Sequence, residues 1–374
     1  MLNKNKKIPC LFFFIGTTAE FIKMFPVIQK VKEYRIPYQV IASGQNNIAD
    51  TDIAKKLNIK IDLQISNEED IKKNAVGLFS WWLKTLPKAK KAIYEKYYNE
   101  YDFDDSIMVV HGDTISTTMG AIVGRLLDMN IAHVEAGLRS KNLLIPFPEE
   151  IDRLLTSILT KYHFAPGSVP YNALPSYSTK INTVYNTIID SLEYSKTVHC
   201  QNTSLKVLFE KEYCVFVCHR QENLMNKEFV EKVVDSAIKT ANSKHVVFIM
   251  HKITENTLTK LGLYDKVKNN KNITVLDRID YFDFMKILEN SSFVITDGGS
   301  NQEELAYMGK PALILRKRTE RQDGLGENVL LYEGDINKID EFLNTYEQYK
   351  RNPVEMRFSP SDVIADKLKL FLED

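Results

Sequence analysis

The chain has 374 residues, of which 44% are apolar and 26% are charged, so it can bury substantial cores and is long enough for two domains. Its 49 basic residues equal its 49 acidic residues, and this balance provides no general attraction to nucleic acid or to an anionic membrane. No apolar run reaches the roughly 18 residues of a spanning helix and no secretory signal is visible, so we predict a cytoplasmic protein without a membrane span.

Short apolar runs alternate with longer amphipathic stretches in the first part of the chain, which is the pattern of parallel strands joined by helices. The predicted strands are "LFFFI" (11–15), "YQVIAS" (38–43), "SIMVVH" (106–111) and "IAHV" (131–134). Predicted helices include 20–33 and 114–127. The stretch 80–101 mixes lysines with aromatic residues, but the zero net charge favours a helix with a solvated basic face over a nucleic-acid contact.

The same alternation restarts after residue 200. The predicted strands here are "YCVFVC" (213–218), "HVVFIM" (245–250), "ITVL" (273–276), "FVIT" (293–296) and "ALIL" (312–315). Two such series predict an α/β protein with two Rossmann-like doubly wound domains. The Pro-, Tyr- and Ser-rich interval 165–178 separates the series, so we place a first domain at 1–170 and a second at 171–360. The amphipathic end, 361–374, is predicted to form a helix that packs on the first domain.

Acidic residues follow the predicted strands of the first domain, at the edge where doubly wound sheets bind their ligands. Asp113 lies in "GDT" after the third strand, Glu135 begins "EAGLRS" after the fourth, and Glu149 opens a helix. Each alone could be a helix cap or the partner of a nearby arginine. Carboxylates held together acquire split pKa values and can serve as acid and base, so we predict that these three carry proton transfers.

A glycine-rich turn in "ITDGGSNQEE" is the candidate phosphate site of the second domain. Gly298, Gly299 and Ser300 stand between a strand and a helix, where free N–H groups and the positive helix end suit a phosphate. The alternative is a turn in which Ser300 only caps the helix. Glu304, one turn further on, could accept hydrogen bonds from ribose hydroxyls, so a nucleoside diphosphate fits both features.

A second polar turn, "HRQEN", follows the first strand of that domain. His219 and Arg220 could neutralise a leaving diphosphate, with Glu222 orienting the imidazole, and a purely structural turn is equally compatible. Cys214 and Cys218 precede His219, but four residues of strand span about 13 Å, too far for both thiolates to share one ion. We therefore predict no metal site.

Taken together, the motifs resemble the bacterial UDP-N-acetylglucosamine 2-epimerases, which have the two-domain glycosyltransferase-B fold. The matching segments are, in chain order, "HGDT", "HVEAGLRS", "PFPEEIDRLLT", "HFAP", "HRQEN", "DYFDF", "QEE", "GKP" and "TER". The resemblance runs from residue 16 to about 334 and covers most of the chain. It implies an active site in the interdomain cleft, where UDP is eliminated across C1 and C2 and re-added with the opposite configuration at C2, without a cofactor.

The residue patterns and the resemblance together predict a set of site residues. The predicted catalytic residues are Asp113, Glu135, Glu149 and His219. The predicted contacts of the UDP-sugar are Gly16, Lys23, Arg220, Phe284, Gly298, Gly299, Ser300, Glu304 and Arg321. The resemblance implies that uridine lies near Phe284 and the phosphates near the glycine-rich turn. It also implies a homodimer and, as the only other partner, a UDP-sugar.

Several segments depart from the family pattern. The family opens GTRPE, but here Gly16 is followed by "TTAE", so a diphosphate-contacting arginine is missing at Thr18. The family's DSGGIQEE is replaced by "DGGSNQEE", in which the polar Asn301 stands at an apolar position. Only Gln45 remains of the allosteric QHREM stretch found in many members. Loss of one arginine would cost about 1.5–3 kcal/mol of charge-assisted hydrogen bonding unless another cation substitutes.

These departures leave several activities open. The favoured activity is interconversion of UDP-N-acetylglucosamine and UDP-N-acetylmannosamine, or of a related UDP-2-acetamido sugar, for surface polysaccharide synthesis. Hydrolysis to free N-acetylmannosamine and UDP, and glycosyl transfer in the same cleft, are the alternative reactions. A non-catalytic nucleotide-sugar sensor is disfavoured because the set of acids is complete.

Overall fold

The computed structural model describes residues 7–71, 75–139, 149–199, 203–319 and 321–373. The chain divides into two compact units, one formed by residues 1–191 with 357–374 and the other by residues 192–356. Each unit is built on its own parallel sheet. No helix in the described part of the chain is long and apolar enough to cross a membrane.

The first unit contains seven strands. They are β1 Leu11–Ile15, β2 Tyr38–Ala42, β3 Leu63–Gln64, β4 Ile107–His111, β5 Asn130–Val134, β6 Tyr162–Ala165 and β7 Thr179–Asn182. Their order in the sheet is β3-β2-β1-β4-β5-β6-β7, and neighbouring strands are parallel. Because β4 and β5 are neighbours in register, the residues that follow them emerge side by side at one edge of the sheet.

Helices connect these strands. They are α1 Thr18–Glu33, α2 Asp52–Lys56, α3 Ala75–Tyr97, α4 Ile115–Leu126, α5 Glu149–Leu159, α6 Ser168–Ala173, α7 Ile188–Thr197 and, from the end of the chain, α16 Pro360–Glu373. The last of these belongs to the first unit, where Asp362 lies 3.1 Å from Lys30 of α1. The ring of Phe371 stacks on Tyr162 with the ring centroids 4.0 Å apart.

The second unit contains a six-stranded sheet. Its strands are β8 Tyr213–Val217, β9 His245–Met250, β10 Ile273–Asp277, β11 Val294–Thr296, β12 Ala312–Ile314 and β13 Val329–Leu331, in the parallel order β10-β9-β8-β11-β12-β13. Its helices are α8 Thr203–Phe209, α9 Gln221–Leu224, α10 Lys227–Thr240, α11 Lys252–Lys260, α12 Tyr264–Lys268, α13 Tyr281–Asn290, α14 Gly299–Tyr307 and α15 Asn337–Thr345.

The central strands are buried on both faces, which explains why their sequences are continuously apolar. All five residues of β1 are at most 1% exposed. On one side of this strand, the ring of Phe12 makes edge-to-face contacts with Tyr97, Tyr101 and Phe103 at centroid distances of 5.5 to 5.9 Å. These contacts pack the C-terminal end of α3 and the loop after it against the sheet.

The predicted class, α/β with two Rossmann-like doubly wound sheets, is confirmed. Each strand predicted from the sequence is present, with its ends within one residue of the prediction. The strands β3, β6, β7 and β13 were not predicted. The interval 165–178 lies within the first unit, between β6 and β7, because Thr179–Asn182 pairs in parallel with Tyr162–Ala165.

Candidate active site

Glu135 is the centre of a buried polar cluster after β5. Its backbone φ is +63°, a conformation that residues other than glycine seldom adopt, and only 8% of the residue is exposed. Its Oε2 lies 2.5 Å from Lys23 Nζ, accepts a hydrogen bond of 2.8 Å from Asn186 Nδ2, and lies 3.2 Å from His111 Nε2. An unusual backbone conformation persists where its surroundings hold it, and here these contacts fix the carboxylate in one orientation.

Asp113 follows β4 and pairs with Arg153 of α5. Its Oδ2 accepts from Arg153 Nε at 3.0 Å and from Nη2 at 2.5 Å. Arg153 Nη1 also donates to Glu150 Oε2 at 3.2 Å, so one buried guanidinium joins two acids. The side chain of Asp113 is 29% exposed, against 3% for Arg153. The arginine therefore orients Asp113 and leaves part of its carboxylate accessible.

His133 of β5 supports the turn that carries Asp113. Its Nε2 lies 2.7 Å from the carbonyl oxygen of Gly112, to which the Nε2–H donates. Burial lowers the pKa of His133 to about 3, so the ring is neutral and can donate this bond without bringing a charge into the core. Gly112 has a φ of +72°, which the turn at this point requires.

Glu149 opens α5 and is half-buried. Asp152, one turn further along the same helix, is only 6% exposed. Burial raises the pKa of Asp152 to about 7; the hydrogen bond from Thr118 opposes this rise, and the negative charges of Asp113 and Glu149 add to it. Both predicted acids therefore lie close enough to Asp152 to affect its ionisation. The sequence analysis did not identify Asp152.

The turn at Gly16 is occupied by a carboxylate of its own helix. Glu20 Oε2 accepts from the backbone N–H groups of Gly16 at 2.6 Å and Thr17 at 3.0 Å, and Glu20 also accepts from the hydroxyl groups of Thr114 and Thr117. A Cβ at Gly16 would lie 2.2 Å from the Cβ of Ser116 at the start of α4, so glycine is needed here for close packing. The contacts of Gly16 seen in the structure are thus internal, and its role toward a substrate stays a prediction.

In the second unit, His219 is held by Asp297, the buried residue that follows β11. His219 Nδ1 lies 2.9 Å from Asp297 Oδ1, and the backbone N–H groups of His219 and Arg220 donate to the same carboxylate. Burial alone would raise the pKa of Asp297, but these donors and Asn223 hold it below its usual value. The prediction that Glu222 orients the imidazole is wrong, because its carboxylate pairs with Arg220 Nε at 2.6 Å instead.

The ring of His219 stacks on the ring of His251, which precedes α11. The two rings stack with centroids 4.4 Å apart and planes inclined by 17°. Burial lowers the pKa of His251 to about 4, and the charges of His219 and Arg278 contribute in the same direction. The ring of His251 is therefore neutral, and the side chain of His219 is 32% exposed.

The glycine-rich turn stands between β11 and α14, as the sequence predicted. The Gly298 N–H donates to Thr296 Oγ1 at 3.0 Å, so this group caps the turn internally. A Cβ at Gly299 would lie 2.9 Å from Nη2 of Arg316, whose Nε donates to the Asp297 carbonyl at 3.2 Å. The guanidinium of Arg316 therefore lies directly against Gly299 and adds positive charge at the beginning of the helix.

The remaining predicted contacts lie on the helices around this turn. Ser300 is half-buried in the first turn of α14, and Glu304 is 2% exposed and accepts from Asn301 Nδ2 at 2.8 Å. Arg321 Nε lies 3.0 Å from Glu303 Oε2. Phe284 is half-buried in the first turn of α13. The role of each toward a UDP-sugar stays a prediction.

The structure thus brings the predicted residues together in separate groups. Lys23 contacts Glu135 directly, Asp113 pairs with Arg153 of the helix that Glu149 opens, and His219 shares the carboxylate of Asp297 with Arg220. The sequence analysis gave no role to several supporting residues, which are His111, Asn186, Asp152, Asp297 and Arg316. His111 ends β4 and Asp297 follows β11, and these positions at the ends of strands could have identified both residues.

Comparisons with known proteins identify the family of the chain. The sequence model of the UDP-N-acetylglucosamine 2-epimerases matches residues 29–358. The UDP-N-acetylglucosamine 2-epimerase of Methanocaldococcus jannaschii is 29% identical over 364 residues, covering 91% of this chain and 93% of that protein.

Solved structures show the same relationship. The crystal structure of the Neisseria meningitidis UDP-GlcNAc 2-epimerase bound to UDP-GlcNAc is 25% identical to this chain, with a TM-score of 0.77, and the match covers 97% of this chain and 100% of that one. The Staphylococcus aureus MnaA–UDP co-structure has 23% identity and a TM-score of 0.80 over 98% of this chain and 97% of that one, which supports the fold.

Proposed function

This chain belongs to the UDP-N-acetylglucosamine 2-epimerase family, and on that basis we propose that it interconverts UDP-N-acetylglucosamine and UDP-N-acetylmannosamine. The observation that carries this proposal is the arrangement of acids at one edge of the first sheet. Asp113 and Glu135 follow neighbouring strands, and Glu149 opens α5, the helix whose Arg153 pairs with Asp113. A reaction that removes and returns a proton needs carboxylates placed in this way.

The proposed reaction is an elimination followed by an addition. A carboxylate takes the proton from C2, the C1–O bond to UDP breaks, and its electron pair leaves with the diphosphate as the C1=C2 double bond forms. Re-addition of UDP at C1 and return of a proton to the opposite face of C2 give the epimer. We propose that Asp113, Glu135 and Glu149 carry these proton transfers.

We propose that the polar turns of the second unit bind the departing UDP. His219 is partly exposed and has one nitrogen fixed by Asp297, so its other nitrogen is available as a donor to an anion. Arg220, Gly298, Gly299 and Ser300 would contact the phosphates. Phe284 would contact the uracil and Glu304 the ribose. Arg321, Lys23 and Gly16 are the remaining proposed contacts of the UDP-sugar.

Incubation with UDP-N-acetylglucosamine in deuterated water tests this function. Deuterium at C2 of both UDP-sugars is the expected result, because the proton returned to C2 comes from solvent through the carboxylates. Free N-acetylmannosamine would instead indicate a hydrolase. Absence of exchange without an acceptor would contradict epimerisation and favour a glycosyltransferase or a sensor.

We also propose that the protein is a homodimer, as the family resemblance implies, and that it works in the cytoplasm, as predicted from the sequence. Light scattering after size-exclusion chromatography would give a mass of twice the 43.1 kDa of one chain if the dimer forms. A mass of a single chain at micromolar concentration would contradict it.

The substitution Thr18→Arg tests whether the turn at Gly16 lies beside the diphosphate. Thr18 is the half-buried first residue of α1. An added guanidinium beside a phosphate contributes about 1.5–3 kcal/mol, so we expect the Kd for UDP to fall by about tenfold to a hundredfold. A cation at a helix N-terminus costs about 0.3–1 kcal/mol of stability, which a small decrease in Tm would record. Titration calorimetry with UDP measures the affinity.

Thr18→Gln is the matched control, because it has a long polar side chain without the charge. If the two variants bind UDP equally well, the turn does not lie at the diphosphate.

A further inference from the structure

Asn186 lies in the loop 183–187, which joins β7 to α7 at the edge of the first sheet that carries Glu135. In the sheet order, β7 is two strands away from β5, and the carboxyl ends of these parallel strands meet at one edge. Asn186 is only 4% exposed, and its Nδ2 donates to Glu135 Oε2 at 2.8 Å. A buried amide from a separate loop therefore contacts one of the proposed catalytic carboxylates directly.

The backbone of α7 sets the orientation of the Asn186 amide. Its Oδ1 accepts a hydrogen bond of 3.0 Å from the backbone N–H of Ile188, the first residue of that helix. A backbone N–H can only donate, so the amide atom that faces it must be the carbonyl oxygen. A flipped amide would place its NH₂ group against that N–H and its oxygen against the carboxylate. The atom that faces Glu135 is thus always a donor.

The loop that carries Asn186 is held in a strained conformation. Val184 has a φ of +61°, which a β-branched residue rarely adopts. Its N–H donates to Asn182 Oδ1 at 2.8 Å, and Thr183 Oγ1 donates to a carbonyl oxygen of β6 at 3.1 Å. Such strain persists only where the surroundings impose it, and it is common at functional sites. The hydrogen bond from Asn186 to Glu135 therefore joins two segments with unusual and fixed backbones.

Lys23 and Asn186 donate to the same oxygen of Glu135 but constrain it differently. The ammonium of Lys23 is a compact charge with rotatable donors, so it favours the ionised carboxylate without fixing its plane. The terminal torsion of a glutamate has only a broad preference of its own. The planar amide of Asn186, fixed at its other end, supplies the missing direction. A carboxylate accepts hydrogens near its own plane, so the orientation of that plane decides from where it can take a proton.

We propose that Asn186 is a positioning residue, which fixes the plane of the Glu135 carboxylate for proton transfer at C2 of the UDP-sugar. The inference rests on the proposed function. Without the amide donor, Lys23 still pairs with the carboxylate but no longer prevents its rotation. Loss of a donor to the charged form also raises the proton affinity of Glu135. Basicity alone therefore predicts faster removal of the C2 proton, whereas lost orientation predicts slower removal.

The substitution Asn186→Ser distinguishes these effects. Serine can still accept from the Ile188 N–H in the equivalent turn, but its hydroxyl is one bond shorter than the amide nitrogen and does not reach Glu135. We expect deuterium incorporation at saturating UDP-N-acetylglucosamine to slow by about tenfold to a hundredfold. The Kd for UDP, measured by titration calorimetry, should stay within about twofold of wild type. An unchanged exchange rate, or an equal loss of UDP affinity, would overturn the proposal.

Asn226→Ser is the matched control for the loss of an amide. Asn226 caps α10, where its Oδ1 accepts from the Phe229 N–H at 3.2 Å, so serine can replace it as a cap. This variant should exchange deuterium and bind UDP as the wild-type protein does. If it slows exchange as much as Asn186→Ser, the effect is not specific to the Glu135 contact and the inference fails.

Asn186→Asp separates the donor from the turn. Aspartate keeps the size of the side chain and can accept from the Ile188 N–H, but in its ionised form it presents Glu135 with an acceptor. At pH 8 we expect exchange to be at least as slow as in Asn186→Ser. Exchange at the wild-type rate would show that the turn, and not the donor, is what the reaction needs, and would overturn the proposal.

Crystal structures without substrate separate this inference from the proposed function. In Asn186→Ser, the carboxylate plane of Glu135 should be rotated by more than about 30° or occupy two orientations, while the pair with Lys23 remains. A plane that coincides with that of the wild-type protein would overturn the inference even in an active enzyme. If the plane rotates but the wild-type protein exchanges no deuterium, the proposed function fails, and with it the catalytic part of the inference.

Discussion

Replacing Glu135 by glutamine is expected to slow deuterium incorporation at C2 of UDP-N-acetylglucosamine by a factor of about 10²–10⁴. The amide has the shape of the carboxylate and can still accept from Lys23 and Asn186, but it cannot take a proton at neutral pH. The effect should therefore fall on kcat, with the Kd for UDP unchanged. Initial rates of exchange, followed by NMR, and titration calorimetry with UDP measure the two quantities.

The control for this substitution is Glu33→Gln at the end of α1. Glu33 pairs with Lys30 at 3.2 Å and its side chain is 59% exposed, so the same chemical change there should leave both quantities as in wild type. Exchange at the wild-type rate in Glu135→Gln would remove Glu135 from the proton transfers. A loss of UDP binding together with the rate would indicate that Glu135 organises the site instead.

The strands that carry the site could be predicted because parallel strands in a doubly covered sheet are apolar throughout. β1 and β8 are such strands, and each of their residues is at most 3% exposed. β7 reads "TKIN" with half-exposed and exposed residues, and β3 has only two residues, so neither carries a periodic apolar signal. Their pairing depends on neighbouring strands, and a single sequence does not contain that information.

Asp113 and Glu135 could be found because they follow strands, but their partners could not. Lys23 lies 112 residues from Glu135 and Asn186 lies 51 residues from it, so only the tertiary fold brings these groups together. The sequence predicted Lys23 as a contact of the UDP-sugar, and the structure gives it a buried carboxylate as its partner. In the same way, nearness in sequence favoured Glu222 as the partner of His219, although the strand order places Asp297 there.

Asn301 departs from the family pattern, and its hydrogen bonds explain why a polar residue fits at this position. The sequence indicated only that a polar residue stands at an apolar position. In the structure its Oδ1 accepts from Thr296 Oγ1 at 3.1 Å and its Nδ2 donates to Glu304 at 2.8 Å. The amide therefore links the start of the glycine-rich turn to the proposed ribose-binding carboxylate, and its polarity is satisfied within the unit.

Replacing Lys23 by methionine is expected to lower the free energy of unfolding by about 3–5 kcal/mol, because it leaves the carboxylate of Glu135 buried without its cation. The pair lies 2.5 Å apart, with the two side chains 4% and 5% exposed. Urea unfolding followed by tryptophan fluorescence measures the change. Both tryptophans of the chain, Trp81 and Trp82, lie on α3, so the signal reports the first unit.

Lys30→Met on the same helix is the matched control. Its ammonium group pairs with Glu33 and Asp362 at the surface, where such pairs contribute about 0–1 kcal/mol. If Lys23→Met is no more destabilising than Lys30→Met, the charge of Lys23 does not stabilise Glu135, and its main role would be toward the substrate.

The double variant Lys23→Met with Glu135→Gln separates the cost of an unpaired charge from the loss of packing. Because both charges are then absent, the double variant should be more stable than Lys23→Met alone, with a coupling energy of about 0.5–3 kcal/mol. Additive effects would mean that the two side chains do not interact energetically, despite their distance. An ion pair that costs less stability when both halves are removed than when Lys23 alone is removed keeps the buried carboxylate of Glu135 ionised, and the ionised form is the one that can accept a proton.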